Sequence, residues 1–277
     1  MPEILLDIQN VSYTYGNGKK ALDGVNFTVT AGEFVALAGR NGSGKTTLTR
    51  LAMTLLKPVG GSIHFQGQST AALTPADMAR SIGYVFQNPD RQIFRDTVLK
   101  EVAYGPEQLG FSQNDVSNSV NWALSMTGLT ELTDSFPRSL SRGQKQKVAI
   151  ASALAMRPKM LILDEPTSGQ DPWDAQNLMN LLTSLNKEGI TIILVTHDME
   201  LIARYTGRAV VLDQGRKVFD GLPDELFGGS LDIEAWGLVP PAALALSRRL
   251  PGVHAKSAAE LVELLGSAIR QGRERYA

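Results

Sequence analysis

Cysteine is absent from the 277 residues. That excludes a disulfide framework, a thiolate metal site and a cysteine nucleophile, and it fits a reducing compartment. Long apolar runs are absent as well: no stretch approaches the roughly 20 residues of a membrane-spanning helix. The opening Met1-Pro2-Glu3-Ile4-Leu5-Leu6-Asp7 has neither the basic nor the apolar stretch of a secretory signal. Any membrane role is therefore expected to run through a partner. Neither sign of charge is in excess. The 27 Lys and Arg and 28 Asp and Glu leave a formal net charge of −1, which argues against a general polyanion binder and against nucleic acid as a partner. What remains, 43% hydrophobic and 20% charged, is ordinary globular composition with enough chain for one large or two modest domains.

Glycine is concentrated in one informative place. Phe34 to Ala38 reads as a buried strand, Gly39 to Gly44 as a glycine-rich loop, and Lys45-Thr46-Thr47-Leu48 as the start of a helix. Gly39-x-x-x-x-Gly44-Lys45-Thr46 is the complete P-loop pattern in its strand–loop–helix setting. Such a loop turns consecutive backbone N–H groups inward at phosphate oxygens, and the helix adds its positive dipole end. Gly39, Arg40, Asn41, Gly42, Ser43, Gly44, Lys45, Thr46 and Thr47 are the candidate phosphate-binding residues. Lys45 carries a full charge to the β- and γ-phosphates, and the Thr46 hydroxyl suits Mg²⁺.

Around this loop the chain reads as α/β. Strands are expected at 3–15, Ala21–Thr30, Ser62–Gln66 and Ile82–Phe86, with Asn17-Gly18 as a hairpin signal. The helix after Lys45 should carry Leu48, Leu51, Leu55 and Leu56 and stop at Lys57-Pro58, and another helix should start at Thr74-Pro75. From about 95 to 157 strand signals vanish. Helices are expected at Thr97–Leu109 (broken or ending near Gly105-Pro106), Ser112–Thr127 and Arg142–Met156. Alternation then resumes with strands at Met160–Leu163, Thr191–Val195, Arg208–Leu212 and Lys217–Phe219, and helices at Trp173–Lys187 and Met199–Tyr205. Short apolar strands alternating with helices imply a mostly parallel sheet covered on both faces. Residues 230–277 read as a small helical appendage that packs on its own chain or on a partner. One helix should start at Pro240-Pro241, and another should present Ala258, Leu261, Val262, Leu265 and Ile269.

Three further strand ends carry polar groups. Met160-Leu-Ile-Leu-Asp164-Glu165 ends in two acids: Asp164 is placed to hold Mg²⁺ through water, and Glu165 to orient or deprotonate an attacking water. Thr196-His197-Asp198 follows Val195, so His197 is a candidate for the γ-phosphate or the water. Gln87 follows Phe86, and its amide suits Mg²⁺ or water. Leu140-Ser141-Arg142-Gly143-Gln144 precedes a helix with Ser141 as N-cap, a second helix start suited to an anion but far along the chain from the first.

Together these motifs resemble the ATPase subunit of ATP-binding cassette (ABC) transporters over residues 3–227, in the same order. The resemblance implies an α/β P-loop cassette at 1–229 with a mostly parallel core sheet, an N-terminal antiparallel β subdomain and a helical insertion, followed by the helical tail. It implies Gly39–Thr46 as Walker A, Gln87 as the Q-loop, Leu140–Gln144 as the signature, Asp164 as Walker B, Glu165 as catalytic glutamate, Ser168–Asp171 as D-loop and His197 as switch histidine. Tyr15, or less favourably Tyr13, would stack on adenine. It implies ATP and Mg²⁺ as ligands and a head-to-tail dimer in which Ser141, Arg142, Gly143 and Gln144 meet the γ-phosphate held by a second cassette. Two residues depart from the family pattern: Arg142 where Gly is usual, and Gln170 where Leu is usual. The segment Phe86-Gln-Asn-Pro-Asp-Arg-Gln-Ile-Phe94 is similar to energy-coupling factor (ECF) ATPases. That narrower resemblance implies uptake of a vitamin or of cobalt or nickel, a transmembrane coupling protein, a substrate-binding membrane protein and a place at the cytoplasmic face of the cell membrane. The alternatives are a cassette of another importer or exporter, or a soluble cassette protein acting on ribosomes or nucleic acid.

Overall fold

The structure, a computed structural model, describes residues 3–247, 250 and 260–267. Its strands are β1 (Ile4–Thr14), β2 (Lys20–Thr30), β3 (Phe34–Ala38), β4 (Gly60–Phe65), β5 (Gln68–Ser69), β6 (Ile82–Val85), β7 (Met160–Asp164), β8 (Thr191–Val195), β9 (Arg208–Asp213) and β10 (Arg216–Gly221). Its helices are α1 (Lys45–Ala52), α2 (Pro75–Ala79), α3 (Val98–Gln108), α4 (Gln113–Thr127), α5 (Arg142–Ala155), α6 (Pro172–Lys187), α7 (Met199–Tyr205), α8 (Pro223–Leu226) and α9 (Ala242–Ser247). A further helix runs over 260–267, so Leu261, Val262 and Leu265 are helical as expected, while Ala258 and Ile269 lie outside the described residues.

Two sheets form. One is antiparallel, in the order β2-β1-β4-β5. The other runs β10-β9-β3-β8-β7-β6 and is parallel except for β10. β3, β6, β7 and β8 are buried at every residue, which is why they read as unbroken apolar runs. Alternate residues sort to opposite faces. Val35, Leu37, Ile162, Ile193 and Val195 pack with α1 and the antiparallel sheet. Leu161, Leu163, Ile192 and Leu194 pack with α3 to α6. Ala36 and Ala38 meet Met199, Val211, Phe227 and Leu238. Pairing Leu37 with Val195, Val195 with Asp164 and Leu163 with Val85 brings the C-terminal ends of four strands to one edge.

Two helices differ from expectation. α1 ends at Ala52, before Leu55 and Leu56. Thr54 takes the left-handed conformation (φ 56°) and the Leu55 N–H reaches back to the Arg50 carbonyl, a helix stop usually made by glycine. α3 runs through Gly105 and Pro106 to Gln108. Pro106 sits one turn from the end, where it removes a single N–H and is itself buried.

Candidate nucleotide site

The P-loop leaves β3 at the middle of the large sheet. Gly39 has φ +141°, and a Cβ there would lie 2.2 Å from the Leu212 carbonyl oxygen, so no side chain fits. α1 starts with no side-chain cap and no acid in its first turn. Side chains cap α2, α3, α4, α5, α6 and α7. The N–H groups at the start of α1 are thus left for an anion. Lys45 is buried and donates to the carbonyls of Gly39 (2.7 Å) and Arg40 (3.0 Å). Burial pushes its ammonium pKa down, against the charges of Glu165 and Asp164. A phosphate would relieve that cost. The Ser43 hydroxyl is buried with no partner, packed against Gly39.

The acids follow β7. Thr46 Oγ1 donates to Asp164 Oδ2 at 2.9 Å. This hydroxyl–carboxylate pair is the oxygen donor set that Mg²⁺ takes alongside substrate phosphates. Among the described residues, no group of three His, Asp or Glu side chains could hold a metal ion without such phosphates. The residues present therefore fit a magnesium ion carried in by the nucleotide. Glu165 adopts φ +51°, a costly conformation for a side chain with a Cβ, and its N–H donates to the Val195 carbonyl across to β8. His197, at the end of β8, has Nδ1 2.8 Å from the Glu165 carboxylate. Where the carboxylate is ionised it can only accept, and Nδ1 is then the donor in this contact. His197 is mostly exposed and Glu165 mostly buried, so the histidine holds the acid from the solvent side.

Gln87 is exposed after β6 and lines the same cleft of about 450 Å³ as Tyr15, Lys45, Asp164, Glu165 and His197. Tyr15 makes an edge contact with Tyr13 (5.0 Å), and its hydroxyl lies 2.8 Å from Thr47 Oγ1. The structure therefore brings together the P-loop, Tyr15, Gln87, Asp164, Glu165 and His197. It does not bring the signature to them. Ser141 caps α5, accepting from the Gln144 N–H while Gln144 Oε1 accepts from the Ser141 N–H. None of Ser141, Arg142, Gly143 or Gln144 lines the cleft. Asp171 of the D-loop caps α6. Only Ser168 of that loop reaches the cleft.

Two contacts escape a reading of the sequence. Tyr84, inside β6, has its hydroxyl 3.1 Å from Thr49 and donates weakly to Asp164 (3.4 Å). Burial, and then the charge of Asp164, push its pKa up to about 12, so it remains a donor. Lys145 of α5 pairs with Asp90 at 2.9 Å, tying the segment after Gln87 to the signature helix. A tyrosine in a four-residue apolar strand is the only signal for the first. The second joins distant residues and leaves none.

A P-loop at the switch of a parallel sheet, with an acid pair and a histidine on adjacent strand ends, defines a nucleoside triphosphate hydrolase. The family model for the ABC transporter matches residues 22–168. A provisionally named ABC transporter ATP-binding protein of Pyrococcus horikoshii is 39% identical over 95% of this chain and 100% of its own length. Another, from Caldanaerobacter subterraneus, is 40% identical over 90% of this chain but 44% of itself, so this chain spans less than half of that relative. Among solved structures, cbiO1 of Clostridium perfringens, described as part of the ABC transporter complex cbiONQ, has a TM-score of 0.78 and 37% identity, covering 89% of this chain and 99% of its own. A dimeric, post-hydrolysis ATP-binding cassette holding ADP and phosphate has a TM-score of 0.71 and 30% identity, covering 79% and 99%. The chain belongs to the ABC transporter family: it is an ATP-binding cassette of the kind that hydrolyses ATP.

Proposed function

We propose that this cassette is one of two ATPase subunits that energise uptake of a micronutrient, a vitamin or a transition metal ion, through an ECF-type transporter. The observation that carries this reading is the near full-length likeness to a cbiONQ cassette. The segment Phe86–Phe94 supports it. After Gln87 it forms a short turn capped by Asn88, and Glu101 fixes its end by accepting from the N–H groups of Phe94 and Arg95. Phe86 and Phe94 are exposed there, and Arg95 lies over the rings of Phe94 and Tyr104. Exposed aromatics of this kind suit contact with helices of a transmembrane coupling protein. No described helix is long and apolar enough to cross a membrane, so the cassette would sit at the cytoplasmic face as a peripheral subunit.

In this reading two cassettes close head to tail, and each signature helix start completes the partner's nucleotide cleft. The uncapped start of α1 and Lys45 would bind the phosphates. Thr46, Asp164 and Gln87 would hold Mg²⁺, which offsets charge building on the transferred phosphoryl group. Tyr15 would face adenine. Glu165, steadied by His197, would accept a proton from the attacking water. Ser141 and the N–H of Gly143 would add hydrogen bonds to the γ-phosphate from across the interface. The test is affinity purification of the full chain from membranes. A second cassette, a coupling protein and a small substrate-binding membrane protein are expected. Recovery with ribosomes, or with an exporter, would overturn the import reading.

A further inference from the structure

Arg142 and Gln170, the two departures from the family pattern, prove to be close in space. Arg142 opens α5, and its guanidinium lies over Gly169, the residue before Gln170. A Cβ on Gly169 would be 3.0 Å from Arg142 Cζ and 3.2 Å from both Nη1 and Nη2. Three nearly equal distances show the face of the guanidinium turned toward the space that a Gly169 side chain would fill. Gly169 has φ +70°, so glycine serves there both for its conformation and for the space it leaves. The contact is returned from the other side. A Cβ on Gly143 would lie 2.6 Å from Asp174 Oδ2, in the first turn of α6, whose N-cap is Asp171 of the D-loop. A basic side chain of the signature thus covers a D-loop glycine, and an acid just beyond the D-loop covers a signature glycine.

Gln170 adds a second observation. Its Nε2 donates to the Pro166 carbonyl at 3.0 Å, folding the D-loop on itself, while its Oε1 is buried with no hydrogen-bond partner. The Arg142 guanidinium, against the preceding residue, carries donors of the kind this oxygen lacks, but no hydrogen bond joins the two in the structure. The usual Gly and Leu would supply neither the donors nor the acceptor.

We infer that Arg142 is a positioning residue that locks this chain's signature loop to its own D-loop, through its contact with Gly169, so that the two loops shift as one body. The inference rests on the composite-site reading above. Ser168 of the D-loop lines this chain's own cleft, whereas the signature serves the partner's. The lock therefore links the state of one nucleotide to the alignment of the donors offered to the other.

The test is a double-mutant cycle in ATP hydrolysis by the full chain, with melting temperature followed alongside. Arg142→Ala is expected to lower kcat about tenfold with KM for ATP within about twofold, since alignment rather than binding is lost. Arg142→Lys should not restore it, because an ammonium has no planar face to turn toward Gly169. Gln170→Leu should also lower kcat, and the double variant should be no slower than Arg142→Ala alone. Gly169→Ala, which keeps the arginine but displaces it, should show the same loss. Wild-type kcat in Arg142→Ala, full activity in Arg142→Lys, or losses that multiply in the double variant would overturn the lock. A wild-type chain that turns over ATP as a strict monomer would instead sink the composite site beneath it.

Discussion

In the proposed mechanism Glu165 concentrates the chemistry of the cleft in one residue. Its backbone is left-handed, its side chain lines the cleft with the P-loop, its N–H is fixed to β8, and His197 holds the carboxylate at 2.8 Å. Glutamine keeps the shape but cannot take a proton. Glu165→Gln is therefore expected to bind ATP about as well as the wild type while losing about 10²–10⁴-fold in turnover, the range for removal of a general base. Equilibrium binding of a fluorescent ATP analogue beside steady-state phosphate release checks it, and unchanged release would remove Glu165 from the role of base. At this scale the sequence was informative at the helix start after the P-loop (Lys45) and at or just past strand ends (Asp164, Glu165 and His197), which the structure gathers in one cleft. It was silent where a residue acts through distant neighbours. Neither the bond from Tyr15 to Thr47 nor the buried hydroxyl of Tyr84 beside Asp164 has a local pattern.

Among the elements, the β9–β10 hairpin closes the large sheet on the side of the antiparallel subdomain through charge. Arg208 donates to Asp220 (2.7 and 3.1 Å) and to the Thr28 carbonyl (3.0 Å), and it lies beside Glu33 at the entry to β3. Lys217 also reaches Asp220 at 2.6 Å. Burial alone would raise the pKa of Asp220, but Arg208 and Lys217 outweigh it and hold the carboxyl below its ordinary value of 3.8. A carboxylate depressed in the folded state stabilises above the unfolded pKa, and that contribution fades as pH falls through the folded one. Asp220→Asn is expected to cost about 1–2 kcal/mol at neutral pH and progressively less below about pH 4. Urea unfolding of both proteins at pH 7 and pH 3 checks this; a gap that stays constant would show that the pair contributes nothing through charge. Strands were legible because full burial leaves unbroken apolar runs. Helix ends were legible only where the stop signal is a usual one. α1 stops on a left-handed threonine, and α3 passes a proline that costs little so near its end.

For the molecule as a whole, the C-terminal segment is joined to the nucleotide loop. The sequence shows a change of character near residue 230. It does not show that Ile233 and Leu238 are buried in the same cluster as Ala36 and Ala38, the strand residues just ahead of the P-loop. The link tightens at Gly237. It has φ +67°, and a Cβ there would come within 2.3 Å of Arg40 Cδ. Arg40 is a P-loop residue whose carbonyl accepts from the Lys45 ammonium and from the Ser43 N–H. The next contact along, from the Ala242 N–H to Glu200 at 3.1 Å, fastens the segment to the helix that follows His197. A methyl group at 237 must therefore move either the tail or the side chain of Arg40, whose own carbonyl accepts from Lys45. Gly237→Ala is expected to weaken ATP binding about three- to tenfold, roughly 0.7–1.4 kcal/mol. In an Arg40→Ala background the same change should cost less, because the clashing stem is gone. Nucleotide titration of the four proteins of this cycle, each with its melting temperature, separates the possibilities. Losses that multiply would trace the effect of Gly237 to the general stability of the tail. Coupling between the two positions would make the tail part of the nucleotide site.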